Sequence, residues 1–468
     1  MEWLLNFQLL FQKKIITAVI LVLLMLTGCL AVNQGAKDIE VRGTALVVSE
    51  DLPSKNIFGV QLETISSASG LDQMAQAKSV WTRRDYVWSS VEPVEGARNW
   101  DAVKFYEDEL ITASQNGINM IMIILDAPAW ARIDPNCGGK MKPEKLPALA
   151  SFVRDLVARY SVPPYNLKYI EMWNEPDVDG FLGCWGNVND HAFYGGSEYG
   201  DMLEVVYPSA KAANPAIQIL VGGLLLDCDP DLGIKDCTSS YFLKGILESG
   251  AKNAFDGVAF HSGDYYLGQI GKYHNPNFAA AWNTTGPVTA AKASFLKNLL
   301  AQYGVTGKYL IDTEAGIKCV DVNKCPDPAY GFEETKAYYV VQDGATALAG
   351  YYRANIWYAV YGDRFSGLLT QDNQPLPAYY AFQFMTGKLE NHAFSRNVTA
   401  YPGVKGFEFS TTTGEKLWVL WSLDGAAHAI TLPALPVSMD RITPAGAPEG
   451  LVVSVNISIG VAPVFIQY

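Results

Sequence analysis

The sequence has no CxxC pair, and its five histidines are scattered without an i, i+4 pair, so neither of the usual zinc-ligand spacings is present. It has no GxGxxG and no Walker motif, which argues against a doubly wound nucleotide-binding sheet. Positive charge is short. With 35 Lys and Arg against 48 Asp and Glu, the net charge is -13, and no basic stripe offsets it, so nucleic acid is excluded as a partner. Charged residues are only 18% of the chain and hydrophobic ones 49%, the balance of a compact fold with a large core rather than of extended disorder. At 468 residues the chain exceeds the size at which one core stops growing, so one large and one smaller domain are expected. No cofactor or metal is expected, and nothing points beyond a monomer. The 11 Trp and 25 Tyr suit sugar-stacking platforms and core packing alike.

Lys13 and Lys14 precede the apolar run Ile15 to Leu26, which is short for a membrane span but has the length and flank of a signal peptide. The run ends in Leu26-Thr27-Gly28-Cys29, which resembles a bacterial lipobox. That resemblance implies export, cleavage before Cys29 and a lipid anchor holding the chain to the membrane at the cell surface. Residues 1–29 are thus expected to be processed and 30–55 to form a tether, with a β-type stretch at Ala45 to Ser49. The other six cysteines, Cys137, Cys184, Cys228, Cys237, Cys319 and Cys325, suit disulfides in an exported chain. Pairing across the short loops 228/237 and 319/325 leaves Cys137 with Cys184, one of fifteen possible connectivities.

From residue 56 to 386, short β-rich runs alternate with helical patterns. Eight candidate strands are read at Ile57 to Gln61, Val80 to Asp85, Asn119 to Leu125, Leu167 to Trp173, Gln218 to Gly222, Gly257 to His261, Tyr309 to Thr313 and Ala354 to Tyr358. Eight βα units without a phosphate loop favour a closed (β/α)8 barrel. Residues 387–468 change to short alternating runs, such as Val404 to Ser410 and Leu417 to Trp421, and read as a small β-sandwich.

In such a barrel the reacting groups lie at the C-terminal ends of strands. Two carboxylates qualify: Glu175 in Tyr169-Ile170-Glu171-Met172-Trp173-Asn174-Glu175-Pro176, closing the fourth strand, and Glu314 in Tyr309-Leu310-Ile311-Asp312-Thr313-Glu314-Ala315, closing the seventh. Supporting pieces follow in order: Trp88 to Gly96 and Trp100 after the second strand, Ala127-Pro128-Ala129-Trp130 after the third, Phe260-His261 on the sixth and Ile356-Trp357-Tyr358 on the eighth. Over residues 56 to about 385 the chain resembles the clan of retaining glycosidases with catalytic glutamates on strands four and seven. Within that clan it is similar to the β-xylosidase and α-L-iduronidase family, glycoside hydrolase family thirty-nine.

The resemblance implies Glu175 as general acid/base, Glu314 as nucleophile, and Asn174 as the residue that binds the sugar 2-hydroxyl. His261 and Tyr265 are candidates to donate to the nucleophile or to a hydroxyl, although the clan's His-x-Tyr spacing is altered here to His261-Ser-Gly-Asp-Tyr265. Arg84 is the candidate to steady Glu314, Trp357 to floor the sugar subsite, and Trp130 to serve as a platform or as core. Glu171, four residues before Glu175, reads as structural and interior; Glu92 and Glu95 read as solvated loop residues. The implied reaction is retaining hydrolysis of β-glycosidic bonds in a poly- or oligosaccharide. The competing reading is a non-catalytic cell-surface carbohydrate-binding protein on the same barrel. If Cys29 is the lipidation site, palmitate labelling of cells is expected for the wild type and absent for Cys29→Ala; equal labelling overturns the anchor.

Overall fold

The computed structural model describes residues 56–179, 183–228, 239–274, 282 and 286–468. The signal run, Cys29, the tether with its Ala45 to Ser49 stretch, and Cys237 lie outside the described residues. Among the described residues no helix is long and apolar enough to cross a membrane.

Nine strands form one sheet: β1 (Phe58–Val60), β2 (Trp81–Val87), β3 (Asn119–Leu125), β4 (Tyr169–Asn174), β5 (Gln218–Leu224), β6 (Gly257–Tyr266), β7 (Tyr273–His274), β8 (Tyr309–Cys319) and β9 (Ala354–Trp357). The order β5-β4-β3-β2-β1-β9-β8-β6, closed by a β5–β6 pairing, makes an eight-stranded parallel barrel. All eight expected strands are present. β6 and β8 outrun their expected ends, continuing in register from His261↔Glu314 to Tyr266↔Cys319, with β7 added antiparallel at the tip of β6.

Sequence dictates this locally. β3 reads Asn-Met-Ile-Met-Ile-Ile-Leu with Met120 to Ile124 all buried, the unbroken apolar run of a strand covered on both faces. The helix Leu146–Tyr160 buries Leu149, Phe152, Val153, Leu156, Val157 and Tyr160, a stripe at helical spacing turned to the barrel wall. Inside, the N-terminal half of the barrel is plugged by Trp81, Ile121, Tyr169, Leu220, Ala259, Ile311, Ala354 and Ile356, with the Trp81 and Tyr169 rings 4.9 Å apart. Because strand side chains alternate faces, this plug sets the phase of each strand. On β2, Trp81 inside puts 83 and 85 inside; on β9, Ala354 and Ile356 inside put 358 inside.

The C-terminal part forms two antiparallel sheets. Six strands, β10 (Ala393–Asn397), β11 (Val404–Ser410), β12 (Lys416–Ser422), β14 (Ser438–Ile442), β15 (Pro448–Gly450) and β17 (Val464–Gln467), run in the order β10-β11-β12-β17-β14-β15, and β13 (His428–Thr431) pairs with β16 (Asn456–Ile459). β12 alternates cleanly: Leu417, Val419 and Trp421 join the barrel's outer core, whereas Trp418 and Leu420 join a second core with Ile430 and Ile459 of the small sheet. The larger sheet thus lies between the small sheet and the barrel helices, with Phe384 of the helix Pro377–Leu389 against Phe465 at 5.1 Å.

Cys137 is bonded to Cys184 and Cys319 to Cys325. The first disulfide ties the loops after β3 and β4. The expected partner of Cys228 is Cys237, outside the described residues.

Gly59 on β1 faces Trp81 so closely that an added Cβ would fall 2.6 Å from the Trp81 Cβ. Gly59→Ala is expected to destabilise the protein by about 1–3 kcal/mol through overpacking of the barrel floor, read from denaturant unfolding midpoints. An unchanged midpoint contradicts the plug.

Candidate active site

At the C-terminal end of the barrel, the interior above the plug turns polar. Arg83 is 1% exposed and reaches from β2 to two other strands: its Nε and Nη2 donate to the two carboxylate oxygens of Glu171 at 3.1 and 2.7 Å, its Nη2 to Asn174 Oδ1 at 2.6 Å, and its Nη1 to Glu314. Burial works against the guanidinium charge, and Glu171 and Glu314 overcome it, leaving Arg83 more firmly protonated than usual. Glu171 is fully buried and also accepts from the Gly223 N–H at 2.7 Å. It is therefore the interior structural carboxylate expected on the fourth strand.

Glu175 stands beside this cluster. Its φ is +44°, and that of Trp173 is +67°, left-handed values costly for bulky residues and held only where the surroundings fix them. Here the surroundings do. The Glu175 N–H bonds Gly223 O at 3.0 Å, Trp173 Nε1 donates to Gly138 O at 3.1 Å, and the Cys137–Cys184 disulfide clamps the two loops involved. The Glu175 carboxyl accepts or donates at 2.8 Å to His261 Nδ1, and burial raises its pKa above the usual carboxylate value. His261 Nε2 lies 3.6 Å from Glu314 Oε1 and has no hydrogen-bond partner among the described residues. Burial lowers the His261 pKa to about 4, so the ring is neutral at ordinary pH. A protonated Glu175 then donates to Nδ1, while the ring's own proton sits on Nε2, facing Glu314. An added Cβ on Gly223 would fall 2.2 Å from that Nε2; only glycine leaves the ring its space.

Facing oxygens of Glu175 and Glu314, together with a His261 nitrogen, all lie within 4.8 Å of one another. This N, O, O set could in principle hold a first-row metal ion. A cation there would have to displace the Arg83 ion pair with Glu314 and the proton that burial favours on Glu175.

Behind the site, Lys292 is buried and donates to the carbonyls of His261 at 2.9 Å and Leu225 at 2.6 Å. Buried Asp177 accepts from the N–H groups of Leu225 and Leu226 at 2.9 and 2.8 Å, and burial raises its pKa to about 7. Together they tie the ends of β4, β5 and β6.

Three sequence readings need correction. Arg84 does not approach Glu314: it points outward and pairs with Glu109 of the helix Lys104–Gln115 at 2.6 Å. The phase set by Trp81 gives the interior position to Arg83, one residue earlier. The eighth strand shows the same shift. Trp357 turns outward, donating to Ser366 O at 2.8 Å and packing on Tyr339, and half-buried Tyr358 takes the inward position, its pKa pushed up to about 12 by burial and by Glu314. Trp130, read as platform or as core, packs against the core, donating to Glu92 O at 3.0 Å and lying edge-on against Trp88. Glu92 is buried rather than solvated, accepting from Trp88, Gly96 and Arg98; Glu95 is exposed and pairs with Lys145.

Tyr265 lies half-buried on the His261 face of β6 with Arg364 over its ring at 5.7 Å. Lys318, on the Glu314 face of β8, sits over the Tyr358 ring at 5.4 Å. Asp85, the next inward position after Arg83, is exposed at the mouth. Sequence reasoning missed Arg83, Tyr358, Lys318 and Asp85, all of which counting by twos from Trp81, Ile356 and Glu314 would have found.

No family model and no curated protein matches the sequence. Solved structures do. The chain is similar to a family 39 glycoside hydrolase from the gut symbiont Bacteroides cellulosilyticus (TM-score 0.65, 18% identity, covering 90% of this chain and 82% of that one). It is also similar to a GH30 endoxylanase from Clostridium papyrosolvens (0.59, 12%, 89% and 97%) and to a monomeric beta-xylosidase from Caulobacter crescentus (0.56, 15%, 88% and 96%). At these identities the likeness is one of fold: a (β/α)8 barrel followed by β-sheets.

Removing Arg83 leaves Glu171 and Glu314 as uncompensated charges inside the barrel. Arg83→Ala is expected to cost about 3–5 kcal/mol of stability, and Arg84→Ala clearly less, in urea titrations of the two variants. Equal losses, or a larger one for Arg84→Ala, contradict the register described above.

Proposed function

We propose that this protein is a retaining glycoside hydrolase that cleaves β-glycosidic bonds of a poly- or oligosaccharide by double displacement. The observation that carries the reading is the spacing of the two glutamates. Their facing oxygens lie within 4.8 Å, near the ~5–5.5 Å separation of retaining pairs and short of the ~6.5–9.5 Å of inverting ones.

The two environments divide the roles. Glu175, buried and bonded to a neutral imidazole, is held as the acid that delivers a proton to the glycosidic oxygen. Glu314, paired with Arg83, is held as the carboxylate that attacks the anomeric carbon. The carbon–oxygen bond breaks, the leaving group departs with the Glu175 proton, and a glycosyl ester forms on Glu314. Glu175, now a carboxylate, takes a proton from water as its oxygen attacks the anomeric carbon and frees Glu314. Asn174 offers its amide NH2 to a sugar hydroxyl, because its oxygen accepts from Arg83. Tyr358, Tyr265 and Lys318 are the inward side chains suited to line the sugar subsite. The glycosidases and xylanases among the similar folds agree with this reading. In the same reading the enzyme is exported and lipid-anchored at Cys29, which suits a polymeric substrate outside the cell.

A mutant series tests the assignment. Glu175→Gln and Glu314→Gln are each expected to lower hydrolysis of nitrophenyl β-glycosides by several orders of magnitude. Azide should partly rescue Glu314→Ala, and a 2-fluoro glycoside should label Glu314 in peptide mass spectra. Wild-type turnover in Glu314→Gln ends the proposal and favours the binding-protein alternative.

The pH profile gives an independent check. Glycosylation needs Glu175 protonated, so activity falls as pH rises through its pKa, and the raised value moves that basic limb above the ordinary glutamate range. A kcat/KM already lost by the usual glutamate pKa contradicts Glu175 as the acid.

A further inference from the structure

The far end of the barrel carries a cavity that the reaction at the mouth does not use. It has a volume of about 650 Å3 and opens at the N-terminal ends of β4, β5, β8 and β9, lined by Lys168, Tyr169, Gln218, Lys308, Tyr309 and Arg353 among others. The plug of Trp81, Ile121 and Leu220 separates it from Glu175 and Glu314. Three of its lining residues are cations and one, Asp256, is an anion. That single carboxylate is already engaged by Tyr207, the Ile219 N–H and Lys211. Among the described residues neither Lys168 nor Arg353 is paired with a carboxylate. A cleft with this surplus of positive charge, on a chain of net charge -13, focuses its field on an incoming anion.

Arg353 narrows the ligand. Its guanidinium carbon lies over the Tyr309 ring at 4.5 Å, which braces one side of the group and leaves N–H groups for a carboxylate fork. The shape narrows it further. A second cavity of about 310 Å3 adjoins the first and shares Asn166, Leu167 and Lys168 with it, so the two form an elongated trough rather than a hole for a single ion. Tyr169 and Tyr309 line it beside Asn166, Asn214 and Gln218, whose amides are tied to Ser114, Ala216 and Tyr309, so the walls are polar and aromatic, of the kind that holds hydroxyl-bearing rings.

We propose that this trough is a second saccharide site, remote from the reacting centre, that takes an acidic oligosaccharide through carboxylate contacts to Arg353 and Lys168. The choice of a glycan rests on the glycosidase reading; the cavity and its charge do not. Such a site holds a polymer to the enzyme while a different stretch of chain occupies the mouth.

The test uses the full chain carrying Glu314→Gln, so that no probe is consumed, and calorimetric titration with an oligogalacturonate and with a neutral cello-oligosaccharide of equal length. The acidic probe is expected to bind and the neutral one to bind at least about tenfold more weakly. Arg353→Ala should lose most of that affinity. Lys168→Glu, at an exposed position where folding is not at stake, should lose it as well. In the Glu314 background both substitutions should leave hydrolysis of a small nitrophenyl glycoside unchanged. Equal binding of the two probes, affinity that survives Lys168→Glu, or Lys168-dependent binding to phosphatidylglycerol vesicles in place of the glycan each overturns the proposal. Absence of nitrophenyl glycoside turnover in the wild type overturns the reading of the mouth instead.

Discussion

Arg83 is the constraint on which the upper half of the barrel depends. A guanidinium with 1% exposure is tolerable only if its charge is met, and it is met from two sides by Glu171 and Glu314, with Asn174 closing the fork. The arrangement holds β2, β4 and β8 at one spacing. It also makes the two mouth glutamates unlike. One sits against a cation and the other against an imidazole that burial keeps neutral, and burial raises the pKa of the second, Glu175.

Much of the architecture was legible because parallel strands covered on both faces must be apolar throughout, and β3 is the plainest case. The end of the fourth strand was legible too, since Asn174-Glu175-Pro176 closes that run, whereas Glu314 lies inside β8, which continues to Cys319. Facing was not. Arg83 and Arg84 are adjacent and chemically alike, and period-two alternation sends one to the interior and one to a helix. Trp357 drew attention by its size, while Tyr358 held the inward position. The reach of β6 and β8 beyond the barrel rim was hidden because it depends on cross-strand pairing, and β14, Ser-Met-Asp-Arg-Ile, carries no apolar alternation to announce it.

The loops over the site act as a frame. A glutamate at φ +44° does not hold that conformation unaided. The loops after β3 and β4 are bound by Cys137–Cys184, by the Trp173 indole on Gly138 and by the Lys140 N–H on Cys184 O. An added Cβ on Gly183 would lie 1.8 Å from the Glu175 carbonyl oxygen, so the loop chain passes directly over the residue it steadies. Asp177 and Lys292 supply the matching restraint from below.

The six-stranded sheet gives one face to the barrel helices and the other to the small β13–β16 sheet, with β12 alternating between the two cores. The C-terminal strands are therefore part of the core that covers the barrel's outer helices. A gene-level rearrangement that exchanged this region for an unrelated module would strip Phe384 and its neighbours of their covering. Barrel and sheets share one core, so loosening either face exposes apolar surface on the other.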